Sequence, residues 1–306
     1  VKSLLVIVGP TAVGKTALSL RLAQDFAGEI ISADSRQIYR GLDIGTDKPS
    51  PEQQALVPHH LLDVVNPDEV LTLAEFQERV YATIDAIHER NRLPLLVGGT
   101  GQWVWAVVEG WGIPRVPPDP DLRAKLETRA EAIGAEALHA ELAAVDPQAA
   151  QKLDPHNVRR VIRALEVYHQ TGSPISQHQR KSPPPYNILL VGLTMSRKQL
   201  YERIDRRIDR MIERGLLAEV EQLVEAGYGW ELPAMSGLGY RQIGQYLRGE
   251  VSLDQAVALI KKETRRFVRQ QYNWFRLDDP RIYWFEVDEL EDTYRRVKEW
   301  VETGIE

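Results

Sequence analysis

The chain contains no cysteine in 306 residues. Disulfides, thiolate zinc sites and cysteine nucleophiles are thereby excluded together, and any bound metal has to rest on oxygen or imidazole ligands. No stretch approaches the roughly 20 consecutive apolar residues of a membrane-spanning helix, and with a strand-like run entered at once no cleavable leader is expected. A cytoplasmic protein with no membrane partner is expected. An excess of positive charge is missing too: the formal net charge is −6, which taken alone argues against a nucleic-acid partner. Internal repeats and low-complexity tracts are also lacking, so the length implies two domains or one large α/β core carrying an insertion.

What is present begins at residue 9. Gly9-Pro10-Thr11-Ala12-Val13-Gly14-Lys15-Thr16 fits the G-x-x-x-x-G-K-[ST] phosphate-binding loop. The apolar run 4–8 before it suits a buried parallel strand, and after it Ala17, Leu18, Leu20, Leu22, Ala23 and Phe26 recur at helical spacing. In that order the loop amides and the positive end of the helix dipole face a polyphosphate, Lys15 reaches its terminal oxygens, and the Thr16 hydroxyl can hold Mg2+. A diphosphate or triphosphate ligand with Mg2+ is predicted. The loop alone does not choose among kinase, nucleotide switch and transferase, because the same cradle stabilises a donor, a fuel or a leaving group.

Residues 1–110 alternate strand and helix, with strands at 28–31 and 93–97, a loop through Pro67 and a helix over 72–90. This predicts an α/β fold, a P-loop NTPase-like parallel sheet flanked by helices. Proline-rich breaks at 111–120 and 181–186 bracket helical patterns at 120–133, 135–144, 147–152 and 155–171. Residues 115–186 are therefore read as a helical insertion domain, within a catalytic core made of 1–114 and 187–306. An apolar strand follows at 188–193, and the remainder is helical apart from a strand near 281–286.

Three segments are basic despite the acidic total. Residues 261–276 hold Lys261, Lys262, Arg265, Arg266, Arg269 and Arg276 against Glu263, interleaved with Phe267, Tyr272, Trp274 and Phe275. Residues 197–214 are also rich in arginine, and Arg159, Arg160 and Arg163 form a smaller cluster. A solvated helix face explains any one of them; three together point to a polyanion larger than a nucleotide. On the 198–214 helix, Leu200, Ile204, Ile208 and Met211 form one apolar stripe, with Arg207 nearest its edge. Arg207 is expected to hold a phosphate, or else to pair with Asp205, Asp209 or another carboxylate.

The segment from Ile31 to Pro49, ISADSRQIYRGLDIGTDKP, is joined by PHHLLD at 58–63, VGGTG at 97–101, GYR at 239–241 and QYNWFR at 271–276. With these motifs in this order, nearly the whole chain resembles the tRNA dimethylallyltransferases, also called tRNA isopentenyltransferases. The resemblance implies transfer of a dimethylallyl group from its diphosphate to the exocyclic N6 of the adenine 3′ of the anticodon. It implies Asp34 as general base, Thr100 near the acceptor amine, and Arg207 with Lys15 and the 9–16 loop on the diphosphate. It carries Asp34, Ser35, Arg36, Gln37, Thr100, Arg123, Arg159, Arg160, Arg163, Gly239, Tyr240 and Arg241 over as tRNA contacts. The partners implied are the tRNA anticodon stem-loop and dimethylallyl diphosphate, with the enzyme a monomer.

The residue types suit that chemistry. An aromatic amine is a poor nucleophile until a base takes its proton, and Asp34 follows a parallel strand on the side where such sheets bind ligands. A role as a helix cap or turn is the alternative, given Ser32 and Ser35 beside it. Loss of diphosphate concentrates charge on the leaving oxygen, so cationic stabilisation should dominate. The adenine has to leave its stack to be reached, and arginines with aromatics suit an opened loop. Trp103 and Trp105 are expected either to line a channel for the prenyl tail or to pack in the core. The chain departs from the family pattern at Arg36, commonly Met, at Asp47, commonly Ala, at Gln102-Trp103, commonly Leu-Tyr, and by one basic residue fewer before Gln270.

Overall fold

β1 (Ser3–Val8) is buried from Leu4 onward, because it lies at the middle of a parallel sheet where both faces are covered by helices and only apolar side chains fit. The computed structural model describes residues 2–303; Val1 and 304–306, assigned to the core by sequence, lie outside the described residues. In chain order there follow α1 (Lys15–Asp25), β2 (Gly28–Ser32), α2 (Pro51–Leu56), β3 (His59–His60), α3 (Leu73–Glu89), β4 (Leu93–Val97) and α4 (Gly101–Val108). Next come α5 (Pro120–Ile133), α6 (Ala135–Val145), α7 (Pro147–Lys152), α8 (Val158–Thr171) and α9 (Ile175–His178). The chain closes with β5 (Asn187–Thr194), α10 (Arg197–Glu213), α11 (Leu216–Glu225), α12 (Tyr240–Leu247), α13 (Leu253–Trp274), β6 (Ile282–Glu286) and α14 (Leu290–Thr303).

The six strands are parallel in the order β3-β2-β4-β1-β5-β6. Their carboxyl ends therefore lie along one edge, where the loops after β1, β2 and β4 meet. Close packing on the sheet is set by glycine: a Cβ on Gly28 would lie 2.4 Å from the Leu95 side chain, and one on Gly192 2.6 Å from Trp284. Helix starts follow side-chain caps. Thr72 with Glu75 and Ser252 with Gln255 form reciprocal capping boxes at α3 and α13, satisfying amides that the helices cannot.

The 32–67 stretch is more ordered than the single loop its composition suggested. Ser50 and Gln53 cap α2, and β3 adds a two-residue edge pairing to β2; both are too short to leave a periodic signature. Buried Lys48 ties the stretch together through Asp43 and Asp63, each at 2.5 Å, and the Tyr39 carbonyl at 2.9 Å.

The chain divides into two units, Val1–Val108 with Pro185–Glu306, and Glu109–Pro184. The second begins six residues earlier than the sequence pattern placed it. The Gly112 N–H donates to the Arg180 carbonyl, the Ser182 N–H to that of Gly110, and Trp111 bridges Lys181 antiparallel. This paired stem draws 109–114 into the insertion. It carries its own core, built from residues including Leu126, Leu138, Leu142, Val161, Ile162 and Leu165.

Candidate active site

The phosphate-loop fold depends on backbone only glycine tolerates. Gly9 has φ +141° and Gly14 φ +116°, and a Cβ on Gly9 would stand 2.5 Å from the Leu193 carbonyl oxygen. Lys15 bends over the loop and donates to the carbonyls of Gly9 at 2.9 Å and Pro10 at 2.8 Å. Burial, reinforced by the neighbouring Arg207 and opposed by Asp34, pushes its ammonium down to about 8. A site that disfavours its own cation is one that an arriving anion relieves.

That anion has a place. A cavity of about 790 Å³ is lined by the loop, Thr16, Asp34, Asp47 and five arginines, Arg203, Arg206, Arg207 and Arg210 of α10 and Arg214 just past its end. Arg203 donates to the Val13 carbonyl at 3.1 Å and Arg207 to the Thr11 hydroxyl at 2.7 Å. The carboxylates first considered as partners of Arg207 face elsewhere, Asp205 to Arg265 and Asp209 to Lys261. Arg207 instead meets Asp47 at 3.5 Å, with Arg214 at 3.7 Å on the other oxygen.

A second cavity, about 710 Å³, opens beside the first and shares Thr11, Lys15, Asp34, Thr46, Gly99 and Arg207 with it. Asp34 lies just past β2. Its Oδ1 accepts the Arg36 N–H at 2.8 Å, the turn contact weighed as its alternative role, while the carboxylate still lines both cavities. The Thr100 hydroxyl accepts the Ser35 N–H at 3.2 Å, joining the β2 and β4 loops. Gly98 permits that approach, since a Cβ there would lie 2.2 Å from the Ala33 carbonyl oxygen. The second cavity is less polar than the first: Ile204, Ile208, Met211, Ile260, Phe267 and Trp274 contribute to its wall. Trp103 and Trp105 do not. Both are buried, Trp103 against Phe76 with ring centroids 3.9 Å apart, and Trp105 donating to the Trp274 carbonyl at 2.9 Å.

Residues 37–278 match the family model described as IPP transferase. The chain belongs to the IPP transferase family. It is 56% identical over 273 residues to a tRNA dimethylallyltransferase of Roseiflexus sp. (strain RS-1), covering 89% of this chain and 90% of that one. With the corresponding protein of Thermomicrobium roseum it shares 48% over 304 residues, 99% and 92% of the two chains. Among solved structures, the full-length tRNA isopentenylpyrophosphate transferase of Bacillus halodurans superposes with a TM-score of 0.74 at 41% identity, covering 99% and 98%. A eukaryotic dimethylallyltransferase acting on tRNA gives 0.79 at 28%, covering 94% and 74%.

Within this member of the IPP transferase family, several residues expected to contact tRNA have partners within the protein, while Arg36, Gly239, Tyr240 and Arg241 also line the second cavity. Arg123 donates from Nε and Nη2 to fully buried Glu166 at 2.8 and 2.9 Å, and Arg163 reaches the same carboxylate at 2.5 Å. The two arginines fasten the proline-rich entry to α8, leaving Arg159 and Arg160 of that cluster exposed. Tyr240 is buried and donates its hydroxyl to Glu219 at 2.5 Å; burial and that carboxylate raise its pKa far above the usual phenol value. Arg241 pairs with Glu263, and Gly239, at φ +91°, turns the chain into α12. Gln37 spends its amide on Ser32 and the carbonyls of Thr46 and Asp47. Arg36 bridges to the Pro233 carbonyl and Ser236.

Two further residues shape the site: Glu219, which no sequence motif marked, and Gln271, which the sequence marked only as the first residue of the QYNWFR motif. Glu219 accepts the N–H groups of Asp43, Ile44 and Gly45 at 3.1, 2.7 and 3.1 Å, and so props the loop that delivers Thr46 and Asp47 to the cavity. Gln271 contacts both the phosphate loop and the β4 turn. Among the described residues no helix is long and apolar enough to cross a membrane.

Proposed function

We propose that this chain transfers the dimethylallyl group of dimethylallyl diphosphate to the exocyclic N6 of the adenine immediately 3′ of the anticodon of a tRNA, releasing diphosphate. The observation that carries this reading is the pair of cavities meeting at Thr11, Lys15, Asp34 and Arg207. One side is a cationic cradle for a leaving polyphosphate; the other holds a carboxylate, a threonine hydroxyl and an apolar, aromatic wall. A prenyl donor needs that sequence of environments, and its reactive carbon belongs at the junction.

Lys15, Arg207 and the loop amides stabilise charge as the C–O bond to diphosphate breaks, which is the largest demand of the reaction. Asp34 takes the N6 proton as the C–N bond forms. Thr100, held by Ser35, orients the amine. On the described residues no group of three or more His, Asp or Glu side chains is arranged for a metal. Mg2+, which retains water and phosphate oxygens and needs few protein ligands, fits the Thr16 hydroxyl at the cavity wall. When bound it supplies charge neutralisation at the diphosphate.

On the RNA side, α13 sets exposed Lys262, Arg266 and Arg269 beside Phe267 and Trp274. By helical geometry the basic residues share one stripe and the two aromatics the next, a pairing that suits the backbone and the unstacked bases of an opened anticodon loop. Arg159 and Arg160 of the insertion are read as further phosphate contacts. The chain is read as a monomer, and tRNA as acceptor favours a cytoplasmic setting.

The test is transfer of label from dimethylallyl diphosphate to an anticodon stem-loop, with Mg2+ and no ATP. An N6-prenyl product with adenine 3′ of the anticodon, and none with guanine there, is the expected result. Consumption of ATP with a small-molecule acceptor, and no prenyl product, would replace this reading with a kinase.

A further inference from the structure

One amide touches both halves of the site. Gln271, in the last turn of α13, is 4% exposed. Its Oε1 accepts the Thr11 N–H at 2.8 Å and its Nε2 donates to the Gly99 carbonyl at 3.0 Å. Thr11 belongs to the phosphate loop, and Gly99 immediately precedes Thr100. The fit leaves no slack: a Cβ on Gly99 would lie 2.3 Å from the Gln271 Nε2, and one on Gly101 would lie 2.3 Å from Trp274 of the same turn.

The residue type matches the task. A buried N–H and a buried C=O both need partners, and a primary amide is a neutral side chain that accepts at one end and donates at the other. A carboxylate would satisfy the Thr11 N–H but set an oxygen against the Gly99 carbonyl; an apolar side chain would satisfy neither. The contact also withholds the Thr11 N–H from the phosphate-binding amides, while Arg207 occupies the Thr11 hydroxyl. The amides left for a diphosphate are those further along the loop, so the anion has one register rather than two.

We propose that Gln271 is the positioning residue that sets the register between the diphosphate loop and the Thr100 turn, so that the acceptor amine rather than water reaches the allylic carbon. This rests on the transferase reading above. In-line attack requires the amine near 3 Å from that carbon and opposite the leaving oxygen, and misplacement of about 1 Å costs on the order of a hundredfold. Without the amide the two loops move independently and water completes the reaction. The C–O bond to diphosphate breaks, water oxygen bonds to the allylic carbon, its proton passes to solvent, and diphosphate leaves with dimethylallyl alcohol as the product.

The experiment uses the full chain with Gln271→Glu and Gln271→Met, at a temperature where circular dichroism shows both folded. Prenyl-RNA and dimethylallyl alcohol are measured together. For each variant the transfer kcat is expected to fall about 30- to 100-fold with the donor KM within about threefold, and the share of donor lost to water to rise. A second readout needs no turnover. In the native protein, inorganic diphosphate should slow amide hydrogen exchange in both 9–16 and 98–101; in the variants it should protect only 9–16. An unchanged ratio of alcohol to prenyl-RNA, with 98–101 still protected, overturns the proposal. Absence of transfer by the native protein would fail the transferase reading instead, and the exchange measurement would still decide whether Gln271 couples the loops.

Discussion

Raising the pH should release the donor before it stops the chemistry. Lys15 is held at about 8 instead of its ordinary 10.5, by burial first and by Arg207 second. Binding a diphosphate requires the ammonium form, so kcat/KM for the donor follows the protonated fraction of the free enzyme. With a pKa of about 8, that fraction is about 0.9 at pH 7 and about 0.03 at pH 9.5, a loss of about thirtyfold. Bound diphosphate puts negative charge beside the ammonium and raises its pKa, so kcat at saturating donor stays level to higher pH. The stability linkage has the opposite sign. A lysine whose folded value lies below its unfolded one carries a cost that is complete below pH 8 and relieved as pH rises from about 8 to 10.5. This group therefore makes the ligand-free protein more stable over the range in which donor affinity declines. The assay is initial rate against dimethylallyl diphosphate from pH 6.5 to 10 at saturating stem-loop, for the native chain and for Arg207→Gln. In the variant the break should move upward, because one neighbouring positive charge is gone. A kcat/KM that stays flat to pH 10, or a break at the same pH in both proteins, refutes the assignment of Lys15 and its environment.

Asp34→Asn should lower kcat by about 10² to 10⁴ while stem-loop affinity stays within about twofold, because the amide retains the shape but cannot take the proton; full activity in a gel-shift-competent variant would remove the base from Asp34. On α13, Arg269→Gln should weaken tRNA binding and reduce the slope of log affinity against log salt by about 0.7 to 0.9. Arg265→Gln should instead lower the melting temperature with little change in that slope, since its guanidinium serves Asp205; identical salt behaviour in the two variants would contradict the division. In the insertion, Glu166→Ala leaves two guanidinium groups and the Asp119 N–H without their buried acceptor. It should destabilise that unit by about 3 kcal/mol in thermal unfolding, whereas Arg159→Gln with Arg160→Gln should leave the melt unchanged and act on tRNA affinity alone.

The sequence by itself determined the phosphate loop, the strand-and-helix alternation, the insertion and the family motifs. These depend on local backbone preferences, on hydrophobic period and on short spacings: glycines at the positive-φ turns of 9 and 14, an unbroken apolar run for β1, prolines at 117, 118 and 120 where the insertion's helices begin. It could identify which segments carry charge, but not which charges are already spent. Arg265 and Arg269 lie one turn apart on a single helix, and only the fold sets the first against Asp205. Arg123 and Arg163 look like the exposed arginines beside them until Glu166 is found between them. The same limit hid Glu219, whose contacts to 43–45 span about 175 residues, and the partner of Gln271, a residue marked by its motif but not for its reach to Thr11 across 260 residues. Short β3 and the 109–114 stem were illegible for a related reason, since a two-residue strand and a paired linker have no period of their own. Chemistry is written in residue types and short spacings. Which donors, acceptors and charges remain free for a ligand is fixed only when distant segments have packed, because a buried polar group is satisfied by whatever partner tertiary structure brings to it.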